Sequence, residues 1–231
     1  MLFDLRGAGR RRTVKAVYIG LAVIMFVGFV GFSIGSSGLG GGIIDAITQN
    51  NGGGSDTATK RFRDQVAQAE RATRATPRRP GAWADLALAH VRMAGVGGNY
   101  DQARNDYTPA GKAQLRGASA AWDRYMALNP KHPDDRLARL MLQAFVSLND
   151  PARAAQAQEI VTASNPTSKT YAQLAVYAYQ AGQVTKGDAA SLKAVDLAPK
   201  AQKKALKAQL AQAKSQASKS PQPGSTPAAS G

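Results

Sequence analysis

The chain has 231 residues, room for one ordinary domain with appendages, and no cysteine, which excludes disulfides and thiolate metal sites. Lys and Arg outnumber Asp and Glu 30 to 15, and the resulting charge of +15 favours acidic partners: nucleic acid, anionic lipid or anionic envelope polymer. Residues 1–15, MLFDLRGAGRRRTVK, set Arg6, Arg10, Arg11, Arg12 and Lys15 against Asp4 alone. Residues 16–35, AVYIGLAVIMFVGFVGFSIG, then carry no charge in twenty positions. As a helix this run would cross a hydrocarbon core of roughly 30 Å. It predicts a transmembrane helix or uncleaved signal anchor.

Basic residues mark the cytoplasmic side of a span, and the next one after residue 35 is Lys60. The expectation is a single-pass protein of the cell membrane, with 1–15 as a basic cytoplasmic tail and the remainder extracytoplasmic. Cleavage after Ser33-Ile34-Gly35, a small-x-small site, is the alternative. RRRTVK has the two arginines of a twin-arginine signal, but Thr13 and Val14 stand where large apolar residues belong. Gly31 and Gly35 form a G-x-x-x-G pair that could pack two spans. Residues 36–56 read as a Gly-rich linker with a short apolar island at Ile43, Ile44, Ala46 and Ile47. Residues 220–231, with little to bury, read as a disordered tail.

Between these lies a recurrence. Pro77, Pro130, Pro166 and Pro199 follow one another at intervals of 53, 36 and 33 residues. Two intervals approach the period of about 34 of a helix-turn-helix repeat, and the first equals it plus an insert of about 19. Working back from Pro199, one copy reads Tyr171, Leu174, Ala175, Ala178, Gly182, Gly187 and Ala194. Its small residues Ala175, Gly182 and Gly187 should let two antiparallel helices approach closely. Another copy runs from Ala138 through Met141, Leu142 and Phe145 to Leu148-Asn149-Asp150-Pro151, then Ala154, Ala157 and Val161 before Pro166. Asp150 suits an N-cap and Pro151 a first helical position. The first copy opens with Trp83, Leu86, Ala87 and His90 and closes with Ala118, Trp122, Tyr125 and Pro130.

These residues resemble the tetratricopeptide repeat pattern, W-x2-L-G-x2-Y followed by A-x3-F and a proline. The resemblance covers residues 80–199, and Gln158 and Ser191 depart from it where an aromatic is expected, which predicts looser helix contacts there. It implies an all-α, right-handed helical solenoid over residues 57–219 following the N-terminal transmembrane helix. Its repeats are expected at about 80–130, 135–166 and 168–199, with an insert over 95–115 in the first. A helix over 59–77 would precede them, and a polar capping helix over 200–219, with Ala205, Leu206, Leu210 and Ala213 as its apolar stripe, would follow. Within the insert, Thr108-Pro109 reads as a helix start, leaving 95–107 as a loop whose Tyr100 and Tyr107 either meet a partner or pack the loop onto its own helices.

Catalytic chemistry finds no support. The only histidines are His90, at a packing position, and His132, in a turn, and Asp134 and Asp135 suit helix capping. GLGGG follows an apolar span instead of a strand, so no phosphate loop is read there. The chain is not expected to be an enzyme or to hold a cofactor or metal. In tetratricopeptide proteins the first helices of successive repeats line a groove that holds peptides. Carried over, that groove would comprise Asp85, Leu88 and Arg92, then Arg136, Arg139 and Gln143, then Lys169, Val176, Tyr179 and Gln180. The family's clamp for a C-terminal carboxylate needs Lys and Asn where this chain has Ala84 and Leu88, so that specific activity is not implied. The reading is a membrane-anchored scaffold that binds a protein partner outside the cytoplasm, similar to accessory factors of export, chaperone or envelope assembly. The alternative is electrostatic binding of anionic polymer or nucleic acid through the basic stretches 61–79 and 200–219. Small-molecule substrates are not expected, and lysines without interleaved aromatics argue against specific nucleic-acid recognition.

Overall fold

The computed structural model describes residues 54–219, with side chains from Thr57 onward. Eight α-helices make up nearly all of it: α1 Gly54–Ala75, α2 Pro80–Ala94, α3 Pro109–Ala127, α4 Asp135–Ser147, α5 Pro151–Ser164, α6 Ser168–Gln180, α7 Val184–Leu197 and α8 Lys200–Ala217. The expected all-α class is what these residues adopt, and the stacking of successive helix pairs fits a helical solenoid. No described helix is long and apolar enough to cross a membrane. The expected span over 16–35, most of the linker and the tail lie outside the described residues. The linker's last residues belong to α1, which starts at Gly54, five residues before the expected position.

Each element begins and ends for local reasons. Pro80, Pro109 and Pro151 occupy the first turn of α2, α3 and α5, where a missing N–H costs nothing. Thr108, Asp134 and Asp150 cap α3, α4 and α5 by accepting from backbone N–H groups of the first turn. Thr167 and Thr170 form a reciprocal capping box on α6. α4 and α6 stop in the same way. Asn149 at φ 55° and Gly182 at φ 71° take the left-handed position. Asp150 N–H then donates to the Phe145 carbonyl at 2.9 Å, and Gln183 N–H to Ala178 at 2.8 Å. Gly182 is therefore the turn residue of its repeat and not a small contact between helices.

Within each repeat the two helices pack antiparallel: α2 on α3, α4 on α5, and α6 on α7. Contacts of α2 with α4, of α3 with α4, and of α5 with α6 join the pairs, and α8 lies on α6 and α7. The approach is close because alanine carries it. Ala87, Ala118, Ala138, Ala154, Ala155, Ala157, Ala175, Ala178 and Ala194 are all completely shielded from solvent. Larger side chains wedge the units apart at defined places. Trp122 and Phe145, both fully buried, meet edge to face at 6.2 Å across the first and second pairs. Tyr125 on α3 accepts at its hydroxyl from the Asp134 backbone N–H, 2.8 Å away, which seats the start of α4.

Trp83 is half-buried against the core, and its indole donates to the Pro77 carbonyl at 2.8 Å, which clips the α1–α2 turn. Two expectations change. Gln158 does not loosen its helix. It is 1% exposed, and its Nε2 donates to the Thr170 carbonyl at 3.1 Å and Thr162 Oγ1 at 3.3 Å, joining α5 to α6. The 95–107 segment is also more ordered than a loop. A 3-10 turn at Gly97–Asn99 leads into a two-residue antiparallel ladder, with Tyr100 opposite Tyr107 and Asp101 opposite Asp106. That alternation is too short to show in a sequence.

Trp122→Ala should cost roughly 3–5 kcal/mol, the usual range for emptying a fully buried aromatic site. Trp83→Ala should cost clearly less, because that ring is half in water. Urea unfolding of the two variants followed by helical circular dichroism measures both. Equal midpoints would show that the burial difference carries no energy.

Candidate partner-binding face of the first helices

The first helices of the three pairs are α2, α4 and α6, and the ten candidate groove residues distribute over them unevenly. Asp85 and Arg92 on α2, Arg136 and Gln143 on α4, and Lys169 and Gln180 on α6 are exposed. Leu88, Arg139 and Val176 are half-buried. Leu88 rests against the first core cluster and Val176 against the second. Arg139 bonds Asp135 one turn back on its own helix at 3.4 Å, a long contact between half-exposed groups. α2 and α4 contact each other directly, and each keeps exposed residues of the candidate set. The α6 residues join that set through α5 and not through direct packing of comparable extent.

Tyr179 does not belong to the face. It is 4% exposed, because the side of α6 that carries it is where α7 and α8 seat. Its ring lies against Gly187 of α7 so closely that any Cβ there would overlap it. The expected role of Gly187 in close helix approach thus holds. The Tyr179 hydroxyl donates to Asp188 Oδ1 at 2.9 Å, and Lys214 of α8 bonds both oxygens of that carboxylate at 2.7 Å. Lys214 Nζ also stands 5.9 Å from the centre of the Tyr179 ring. The lysine holds the Asp188 carboxyl below the usual range, and the tyrosine's donated bond adds to this. Burial first, then the bond to Asp188, pushes the Tyr179 phenol up to about 12.

The insert uses its own tyrosines. Tyr100 and Tyr107 meet edge to face at 5.1 Å, and the Tyr100 hydroxyl donates to Asn105 Oδ1 at 2.6 Å. Tyr107 packs on the first core cluster, and burial raises its phenol. Thr108 Oγ1 donates to the Gly98 carbonyl at 2.8 Å, and Asn99 Nδ2 to Met93 at 2.8 Å, which fastens the hairpin to α2 and α3. Of its two anticipated roles, packing is the one seen. His90 sits half-buried, bonded through Nδ1 to Gln114 Oε1 at 2.8 Å, with its ring over Gly117. It is a packing residue, as its position in the repeat suggested, and His132 is exposed.

The most extensive polar contact joins α5 to α3. Arg153 at the start of α5 places a fork on Asp123 of α3, with Nε 3.0 Å and Nη2 2.8 Å from the two carboxylate oxygens. Its Nη1 reaches Asp150 at 2.6 Å. Both carboxylates, Asp123 first, raise the guanidinium's pKa further. Arg153 stands at the third position after the Asp150 cap, which hints at half of this arrangement. Asp123, 30 residues away, gives no local signal. No group of three His, Asp or Glu that could hold a metal occurs among the described residues. No family model, curated protein or solved structure matches the chain.

Two outcomes follow from the α6–α7–α8 junction. Gly187→Ala must displace the Tyr179 ring and should lower stability by about 1–3 kcal/mol in urea unfolding. Tyr107, Tyr177 and Tyr179 all have raised pKa values in the fold. The stability this reflects is complete below the unfolded tyrosine value of about 10 and is lost as pH rises through the folded values. Tyr179→Phe should make the alkaline fall in stability shallower, read as unfolding free energy from neutral pH to pH about 12. An unchanged slope would exclude Tyr179 as a contributor.

Proposed function

We propose that this chain is a membrane-anchored, tetratricopeptide-like scaffold that offers the exposed faces of its first helices to a protein partner outside the cytoplasm. The class of role is that of an accessory factor in export, chaperone action or envelope assembly. One observation carries the reading. α2 and α4, the first helices of adjoining pairs, lie side by side, and Asp85, Arg92, Arg136 and Gln143 on them are exposed, with no ion pair for either arginine among the described residues. Side chains left out of a fold's own polar network are free to bind something else. The mixed charge of that face suits a peptide or helix carrying both signs. The uncharged run over 16–35 behind a basic flank supplies the membrane part of the proposal.

A second reading has its own support. Arg71, Arg74, Arg78 and Arg79 at the end of α1 and Lys200, Lys204 and Lys207 on α8 are exposed, with no ion pair among the described residues. They could hold an anionic polymer by charge alone.

The test is photo-crosslinking in native membranes from a probe at Gln143, with identification of the captured protein. Arg92→Glu together with Arg136→Glu should weaken capture of that protein about tenfold, because each places like charge where the partner expects the opposite. Helical content should not change. Lys200→Gln, Lys204→Gln and Lys207→Gln together should leave capture intact. Normal capture by the arginine pair, with loss in the lysine variant, would reject the first reading in favour of the second.

A further inference from the structure

α8 breaks a local rule of helix design. Its first turn holds Lys200 and Lys203 with Lys204 next to them, and it contains no acidic residue to meet the positive end of the helix dipole. From Leu197 to Gly231 the chain has six lysines and no Asp or Glu. Two of the six are used. Lys203 donates to the Asp196 carbonyl at 2.9 Å, and Lys214 pairs with Asp188. Lys200, Lys204 and Lys207 are exposed and have no ion pair among the described residues. At spacings of four and three they form one stripe, continued by Ala211 and Lys214. Charge placed against the dipole, and left unpaired, destabilises the helix a little and is explained by what it meets outside the fold.

The chemistry of the stripe restricts its partner. The apolar side of α8, with Leu206, Leu210, Ala213 and Ala217, is spent on the second core cluster. No large apolar side chain of α8 remains on the lysine side to enter a groove or to insert into acyl chains. The stripe has no arginine to fork onto a phosphate and no aromatic to stack on a base. What it offers is a row of point charges on flexible stems, about 27 Å long for the whole helix. Such a row fits a diffuse anionic plane.

We propose that the lysine stripe of α8 docks on an anionic phospholipid surface, held by charge alone. The proposal rests on the membrane-anchor reading in one respect, the supply of that surface. Residues 36–53, eighteen in number, separate the uncharged run from α1 and reach at most about 60 Å when extended. A bilayer tethered at that distance is present at high effective concentration, so an attraction too weak for free partners becomes populated. Clusters of lysines on a helix face are attracted to anionic leaflets in this way, and the attraction falls within a Debye length.

The chain's lack of cysteine allows a clean test. A single fluorophore at Ala211→Cys, on the stripe, is compared with one at Ala163→Cys on α5. The full chain is reconstituted in phosphatidylcholine vesicles and in vesicles enriched in phosphatidylglycerol, each carrying a headgroup quencher. Quenching at position 211 should rise several-fold in the anionic vesicles and be reversed by high salt. It should disappear when Lys200, Lys204 and Lys207 are all Gln, while position 163 stays unchanged throughout. Equal quenching in neutral and anionic vesicles, or quenching that survives the triple substitution, overturns the proposal. So does a response at 211 to added soluble RNA with none to anionic vesicles. Resistance of the chain to alkaline extraction from the same vesicles reads the anchor separately. Extraction with retained salt-sensitive quenching removes the anchor alone, and resistance without quenching removes the docking alone.

Discussion

Close approach of short helices is the constraint on which the rest depends. None of α2 to α7 exceeds nineteen residues, and each has one side to bury, so none is stable without a neighbour. Alanine at Ala87, Ala118, Ala138, Ala154, Ala175 and Ala194 lets backbones come near enough to exclude water with little side-chain volume. An alanine buries little area and loses no rotamer freedom, so the gain per residue is small and the entropy cost is small as well. Stability then concentrates in the few bulky residues that the alanines leave space for. Trp122 and Phe145 do this between the first two pairs, and Leu210 does it at the contact of α8. Gly187 extends the same logic, since only a residue without Cβ admits the ring of Tyr179.

Alanine packing also explains why polar residues appear inside. α5 contributes Ala154, Ala157 and Val161 to the first core cluster and Ala155 to the second. On that same helix lie Gln158 and Thr162, both bonded to the Thr170 carbonyl. A large aromatic at 158 would fill more volume, yet the amide joins Thr162 in tying α5 to a carbonyl at the start of α6. Gln158 Oε1 itself has no hydrogen-bond partner, so the exchange is not free. A polar contact of this kind fixes how two helices register, which alanine contacts alone do poorly.

What was legible in the sequence divides along the same line. Proline spacing, the caps at Asp134 and Asp150 and the Thr108-Pro109 start are local codes, and the helices begin where those codes say. Repetition extends the local code to the pairing of helices, because each copy carries the same pattern. Contacts that occur only once were illegible. The fork of Arg153 on Asp123 joins residues 30 apart, and the hairpin ladder is two residues long. Trp83 and Tyr179 show the limit of a repeat position as a guide. Each has the right type at the right spacing, but the first is drawn to the Pro77 carbonyl and the second is covered by α7 and α8. A position in a repeat fixes which side of a helix a residue occupies, and the neighbour at the end of the array decides whether that side is open.

The charges obey a different economy from the core. Residues 54–219 hold 25 of the basic and 13 of the acidic side chains, and eight of those acids are engaged in ion pairs. The excess is thus made of cations that the fold does not neutralise. Exposed pairs contribute little to stability, typically no more than about 1 kcal/mol each, so unpaired cations are tolerated wherever water reaches them. Tolerance does not explain arrangement. A scattered excess would make every surface mildly positive, whereas the arginines from 71 to 79 stand together around the α1–α2 turn and the lysines from 200 to 207 at the start of α8. Self-repulsion within each cluster opposes folding. The anionic surface proposed for the α8 lysines would offset that repulsion, so the same charges that weaken the helix slightly are the ones that would give it a partner.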